Sequence, residues 1–202
     1  MIHDHPLAGQ FNQLTPELVL DSIEAGGGRS TGRFIILNSY ENRVYQLELD
    51  DGRHLSQSTA IIQWLDGEHP QPPLLPADSF DKARVLSWVY TVACEIHPLN
   101  NIGVTNFLKS ELGADKAQIQ AWLFAWFQRG FSSLETSIDA APYCFGDNVT
   151  MADIYLVPMA YNALRFEYDL AGLHPKVMAV YEACTKLPAF IDAAPENQPD
   201  AI

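Results

Sequence analysis

The stretch "PQPPLLPAD", Pro70–Asp78, constrains this chain more than any other. Proline fixes φ and carries no amide donor, so a run this rich in it forms neither the interior of a helix nor a central strand. It is a connector, and the sequence changes character across it. Upstream, "FIILNSYENRVYQLEL" holds two short strand-like runs, and Asp51-Gly52 between "VYQLEL" and "RHLSQ" is a strong hairpin signal. "STAIIQWLDGEH" then reads as a short amphipathic helix starting at Ser58 or Thr59. Further upstream, residues 15–25, "TPELVLDSIEA", carry a helix start, with Thr15 as N-cap, Pro16 in the first helical position and Glu17 in the first turn. Leu18 and Ile23 fall on its apolar face, and "GGGRSTGR" breaks the chain after it.

Downstream nearly everything repeats apolar residues at helical spacing. "FDKARVLSWVYTVACEI" is one helix. "ADKAQIQAWLFAWFQRGFSSLETSI" is a second, with Ile119, Trp122, Leu123 and Trp126 on its apolar side. "TMADIYLVPMAYNALRF" is more apolar all round and therefore more buried, and "HPKVMAVYEACTKLPAFIDA" supplies a fourth. The sharpest local signal is "DNVTMADIYLVP". Thr150 and Asp153 have capping-box spacing, and Val149 is placed to staple against Ile154. That motif is a folding device.

Charge and cysteine usage narrow the function classes. With 12 basic against 25 acidic residues the formal net charge is −13, which argues against nucleic acid and anionic membranes as partners. No apolar run is long enough to span a bilayer, and "MIHDHPLAGQFNQL" lacks the pattern of a signal peptide. Cys94, Cys144 and Cys184 are too scattered for a disulfide framework or a zinc site, and read as buried free thiols in a reducing cytoplasm. No metal site is expected.

Taken together, "LSQSTAIIQWLDGEHPQPPLLPAD", "CEIHPLNN", "YCFGDNVTMADIYLVP", "YNALRF" and "LPAFIDAAPENQPDA" resemble, in order, the zeta-class glutathione transferases of the maleylacetoacetate and maleylpyruvate isomerase group. The resemblance runs over residues 53–202. It implies a mainly α fold: an all-α C-terminal glutathione-transferase domain behind a thioredoxin-like α/β domain that is here incomplete or altered. The expected divisions are residues 1–52, an atypical N-terminal segment; 53–76, the last strand and helix of the thioredoxin-like domain with the connector; and 77–202, the all-α domain. The resemblance further implies a homodimer, glutathione as cofactor and a small dicarboxylate-like substrate.

The family pattern assigns roles residue by residue. Gln57 and Ser58 match the pair at a strand end and helix start that holds the γ-glutamyl carboxylate; the bland alternative makes Ser58 an N-cap only. His97 and Asn101, in "HPLNN", match the segment facing the substrate; the alternative is a helix kink at Pro98 with polar groups satisfying freed carbonyls. Arg165 matches the arginine of the family's corresponding segment and would clamp a carboxylate; the alternative is an ion pair at a helix end. Gly103 stands where many relatives carry a cation.

Part of the pattern is missing. The family's early Ser-rich turn, which activates the glutathione sulfur, has no recognisable counterpart, and Tyr45 stands where a cis-proline is expected. Ser39 and Ser30 both fail as substitutes, because too few residues separate them from the hairpin or strand-like residues follow them. No catalytic residue is assigned. Residues 10–52, and "LNSYENRVYQ" most closely, resemble instead the N-terminal edge of a bacterial stress-response kinase of the aminoglycoside-phosphotransferase-like group, suggesting a fusion at the hairpin. The expected function is glutathione-dependent cis–trans isomerisation. The alternatives are a non-catalytic module that dimerises or binds small anions and, last, a phosphotransferase fragment.

Overall fold

The computed structural model describes residues 30–37, 44–49 and 52–197, with side chains from residue 52 onward. The expected helix over residues 15–25, together with Ser39 and Asp51, lies outside the described residues. The chain divides into two compact units, Met1–Trp64 with Ala193–Ile202, and Leu65–Asp192.

The first unit contains a three-stranded antiparallel sheet in the order β1-β2-β3, from β1 (Ser30–Leu37), β2 (Val44–Leu49) and β3 (His54–Leu55). Both strand-like runs of the sequence are strands, and the hairpin forms: Leu47 pairs with Leu55 and Glu48 with His54. Gly52 sits in its turn at φ 79°, a conformation open to glycine without steric cost. The "GGGRSTGR" segment differs from its reading as a plain break, because Ser30–Arg33 belong to β1. The register slips between Ser30 and Phe34, and Gly32 lies in that slip. Helix α1 (Ser58–Glu68) follows directly on β3 and carries the junction between the units.

In the second unit the connector is tied down through its backbone. Leu74 N donates to Asp66 Oδ1 at 2.6 Å, and Leu74 O accepts from Met151 N at 2.9 Å. Asp78 then caps α2 (Ser79–Tyr90), accepting from the amides of Phe80 and Asp81. The helix expected through Ile96 is regular only to Tyr90. It continues as a π-helical turn, Thr91–Ile96, and a 3₁₀ turn, His97–Asn100. Pro98 explains this: its ring clashes with the carbonyl four residues back, and it offers no amide to the helix. Helix α3 (Ile102–Leu112), unread in the sequence, ends on Gly113 at φ 67°. Helix α4 (Lys116–Ser137) opens with a reciprocal Asp115–Gln118 capping box.

Four further helices are α5 (Met151–Arg165), α6 (Leu170–Leu173), α7 (Pro175–Cys184) and α8 (Pro188–Asp192). The single helix expected over 174–193 is thus two, because the residue before Pro188 is driven out of helical geometry. The core is built on α4. Its buried stripe is Leu123, Phe127, Phe131 and Leu134, all at most 1% exposed, while Trp122 and Trp126 flank it half-buried. Helices α2, α5 and α7 contribute Val85, Val89, Leu156, Ala160, Val177 and Val180 to that core. Gly130 is part of the same packing: a Cβ there would collide with the fully buried Ile96 side chain, so glycine lets α4 approach the π-helical turn. Among the described residues no helix is long and apolar enough to cross a membrane.

Candidate functional site

The start of α1 is the first place where chemistry and backbone coincide. Gln57 is exposed and sits at φ 71°, in the left-handed region. For a residue with a Cβ that conformation costs about 1–2 kcal/mol, and such strain concentrates at ligand sites. Ile61 N donates to Gln57 O at 3.0 Å, so the helix begins at Ser58 rather than one residue later. The Ser58 hydroxyl is exposed and has no hydrogen-bond partner among the described residues. It is therefore not spent as a cap. A helix start offers backbone amides and the positive end of the helix dipole, and a hydroxyl beside them completes a donor set for a carboxylate.

The second unit holds the other three residues singled out in the sequence. His97 is exposed on the 3₁₀ turn that follows the π-helical turn. Departures of this kind from α geometry occur frequently at functional sites. Asn101 ends the same turn, and its Oδ1 accepts from Gly103 N at 2.8 Å as the N-cap of α3. The freed-carbonyl role proposed for this segment falls instead to Asn100, which is buried. Its Nδ2 donates to Ile96 O at 2.9 Å, and its Oδ1 has no partner. Trp122 Nε1 donates to Leu99 O at 2.7 Å, fixing the turn to α4. Neither Asn100 nor Trp122 was identifiable from sequence: two adjacent asparagines look alike, and Trp122 reads as one more apolar residue.

Arg165 ends α5 and is exposed, with its guanidinium carbon 5.9 Å from the Tyr161 ring centre. Among the described residues no carboxylate pairs with it. Arg84 makes the contrast plain. It bridges Asp139 at 3.1 Å and Asp81 at 3.5 Å while lying over Trp88 and Phe145. Arg84 has carboxylates around it, and among the described residues Arg165 does not.

The remaining polar clusters are structural. Asp153 is fully buried and accepts from Thr150 N at 2.7 Å, Thr150 Oγ1 at 2.9 Å and Cys144 N at 2.8 Å. Burial, and then the Asp153 carboxylate, push the Cys144 thiol far up and the Cys184 thiol up to about 12, so neither is a nucleophile at neutral pH. Cys94 is exposed, which corrects the expectation of three buried thiols. Among the described residues no group of His, Cys, Asp and Glu is placed to hold a metal ion.

Residues 114–188 match the family of glutathione S-transferase C-terminal domains. A maleylpyruvate isomerase from Ralstonia sp. is 44% identical over 158 residues, covering 76% of this chain and 74% of the relative. The chain belongs to the zeta-class glutathione transferases, in the maleylpyruvate and maleylacetoacetate isomerase group. A maleylacetoacetate isomerase from Pseudomonas aeruginosa is 38% identical, covering 91% of this chain and 85% of the relative. Among solved structures, a holo maleyl pyruvate isomerase described as a bacterial glutathione S-transferase of the zeta class superposes with TM-score 0.73 at 42% identity, covering 79% and 76%. The maleylacetoacetate isomerase of Anaeromyxobacter dehalogenans, with glutathione bound in its active site, gives 0.74 at 34%, covering 93% and 84%.

The mainly α class expected from the family pattern is therefore correct. The kinase-like reading of residues 10–52 finds no support in these comparisons.

Proposed function

We propose that this protein is a glutathione-dependent cis–trans isomerase acting on a small unsaturated diketo acid of the maleylacetoacetate or maleylpyruvate type. The observation that carries the proposal is the start of α1, where strained, exposed Gln57 precedes a Ser58 hydroxyl that no described residue engages. Bound glutathione would supply a thiolate that adds to the conjugated alkene, so that the bond becomes single, rotates and reforms as the thiolate departs.

The chain's own groups bind and orient. Ser58 and the first amides of α1 hold the γ-glutamyl carboxylate, and Gln57 shapes the approach to them. Arg165 offers a planar pair of donors to a substrate carboxylate. His97 and Asn101 present polar groups to the same substrate from a turn whose backbone is held on both sides. Activation of the sulfur is assigned to no residue. The reading includes a homodimer in the cytoplasm, and a chain organised as residues 1–52, 53–76 and 77–202.

Calorimetry with glutathione, followed by absorbance assays on maleylacetoacetate and maleylpyruvate, tests the proposal. Binding with turnover is the expected result. Binding without turnover leaves the non-catalytic anion-binding module, and absence of both overturns the assignment of Gln57 and Ser58. Arg165→Ala is expected to raise the substrate KM while leaving glutathione affinity unchanged.

A further inference from the structure

The turn that carries His97 is held by more than its own backbone. Three contacts converge on it. Trp122 Nε1 donates to Leu99 O at 2.7 Å from α4, and Asn100 Nδ2 donates to Ile96 O at 2.9 Å from within the turn. The Ile96 side chain fills the space left by Gly130. Asn100 is 8% exposed, and its Oδ1 meets no partner, so the fold tolerates a buried orphan acceptor at this point. An unmet buried acceptor is destabilising. An apolar residue of similar size would avoid that cost, but it could not bind the Ile96 carbonyl. Pro98 makes that bond matter, because the proline disrupts the regular ladder that would otherwise hold this stretch of backbone.

We propose that Asn100 and Trp122 are positioning residues: together they fix the 97–101 turn so that His97 and Asn101 present their polar groups to the substrate in one geometry. Neither acts on the reacting atoms. Each binds a backbone carbonyl of the turn, Ile96 on one side of His97 and Leu99 on the other, and the two bonds bracket the histidine. The proposal deepens the isomerase reading and rests on it for the substrate.

Two near-isosteric variants test this. Trp122→Phe keeps an aromatic ring and removes the N–H. Asn100→Leu keeps about the same size and removes the donor. At a temperature where near-ultraviolet circular dichroism shows each variant folded, kcat is expected to fall about tenfold, with the glutathione KM within about twofold, because small misplacement of a binding group acts on the chemical step. The double variant is expected to lose less than the product of the two, since both act through one turn. A variant of matched stability elsewhere in the core, Val180→Ala, is expected to leave kcat unchanged.

The second readout needs no turnover. The imidazole resonances of His97, assigned with His97→Gln, are expected to shift in both variants and not in Val180→Ala. Unchanged kcat together with unmoved His97 resonances overturns the proposal. If the parent protein shows no isomerase activity, the isomerase reading falls by itself, and the His97 resonances alone decide whether the turn is positioned in this way.

Discussion

Helices α1 and α5 start from similar sequence and end in opposite situations. Each opens with a hydroxyl residue before an apolar run, "QSTAII" in one case and "VTMADI" in the other. At α5 the chain completes its own site. The Asp153 carboxylate, fully buried, takes the Thr150 amide, the Thr150 hydroxyl and the Cys144 amide. At α1 no described carboxylate engages the Ser58 hydroxyl. The Ser58 hydroxyl is exposed and unengaged among the described residues, and the preceding residue is held at φ 71°. The start of α7 is a third case, where the carboxylate is borrowed. Glu135 of α4 accepts from Lys176 N and Val177 N at 3.0 Å, across 41 residues of sequence. The general lesson is that a helix start calls for an anion, and what supplies the anion separates a folding device from a binding site.

Removing the internal anion should have the largest effect. Asp153→Ala leaves two buried amides and a buried hydroxyl without their acceptor and deletes the capping box. We expect a loss of about 3–5 kcal/mol of stability and a Tm lower by about 10 °C, measured by urea unfolding and calorimetry. A loss under about 1 kcal/mol would show that solvent replaces the carboxylate, and the contrast with α1 would collapse. The mirror experiment is Ser58→Ala. Stability is expected to hold within about 0.5 kcal/mol, as for an exposed side chain without partners. Glutathione affinity is expected to fall about tenfold or more, the worth of a hydrogen bond to a charged group. A variant that loses stability but not affinity would make Ser58 a cap after all.

These same three helix starts show what the sequence could and could not reveal. The Thr150–Asp153 box was legible because both partners lie within one turn, and the long helices because apolar periodicity shows within a short window. The cap from Glu135 to α7 was not legible, since nothing local links residues 41 apart. Helix α3 was missed for a different reason. Its sequence, "IGVTNFLKSEL", mixes glycine and β-branched residues that weaken helix propensity, and its N-cap, Asn101, reads in the sequence as a substrate-facing residue or a polar group at a kink rather than as a helix start. Gln57 and Ser58 were named from the family pattern, but the strained backbone that sets them apart from an ordinary cap appears only in three dimensions.

The start of α7 supplies the pH-dependent member of the set. His174 occupies its N-cap position, 1% exposed. Its Nε2 lies 2.9 Å from Tyr168 Oη, which donates to Gln128 Oε1, while Nδ1 has no partner. Burial lowers its pKa, opposed by the nearby Glu135 carboxylate. The unfolded chain therefore binds the proton more readily than the folded one. The stabilising contribution of neutral His174 is complete above the unfolded value near 6.5 and is lost as pH falls from there toward the lower folded value. One such group gives a slope of at most about 1.4 kcal/mol per pH unit. Urea midpoints measured from pH 7.5 down to 5 should fall more steeply for the parent than for His174→Gln. Parallel curves would mean that the imidazole finds a proton acceptor in the fold.

The smallest effect probes the strain itself. Gln57→Gly removes the Cβ that makes φ 71° unfavourable, which returns about 1–2 kcal/mol, and adds backbone freedom to the unfolded chain, which costs about 0.5–1 kcal/mol. The net expectation is a gain of about 0.5–1 kcal/mol in urea unfolding. Glutathione affinity should fall at the same time if, as proposed, the Gln57 side chain shapes the approach to Ser58. Opposite signs in the two measurements are what separate strain kept for binding from strain left by packing. A loss of stability would show that the left-handed conformation is not held in solution. A gain with unchanged affinity would leave Gln57 out of the site and rest the glutathione assignment on Ser58 alone.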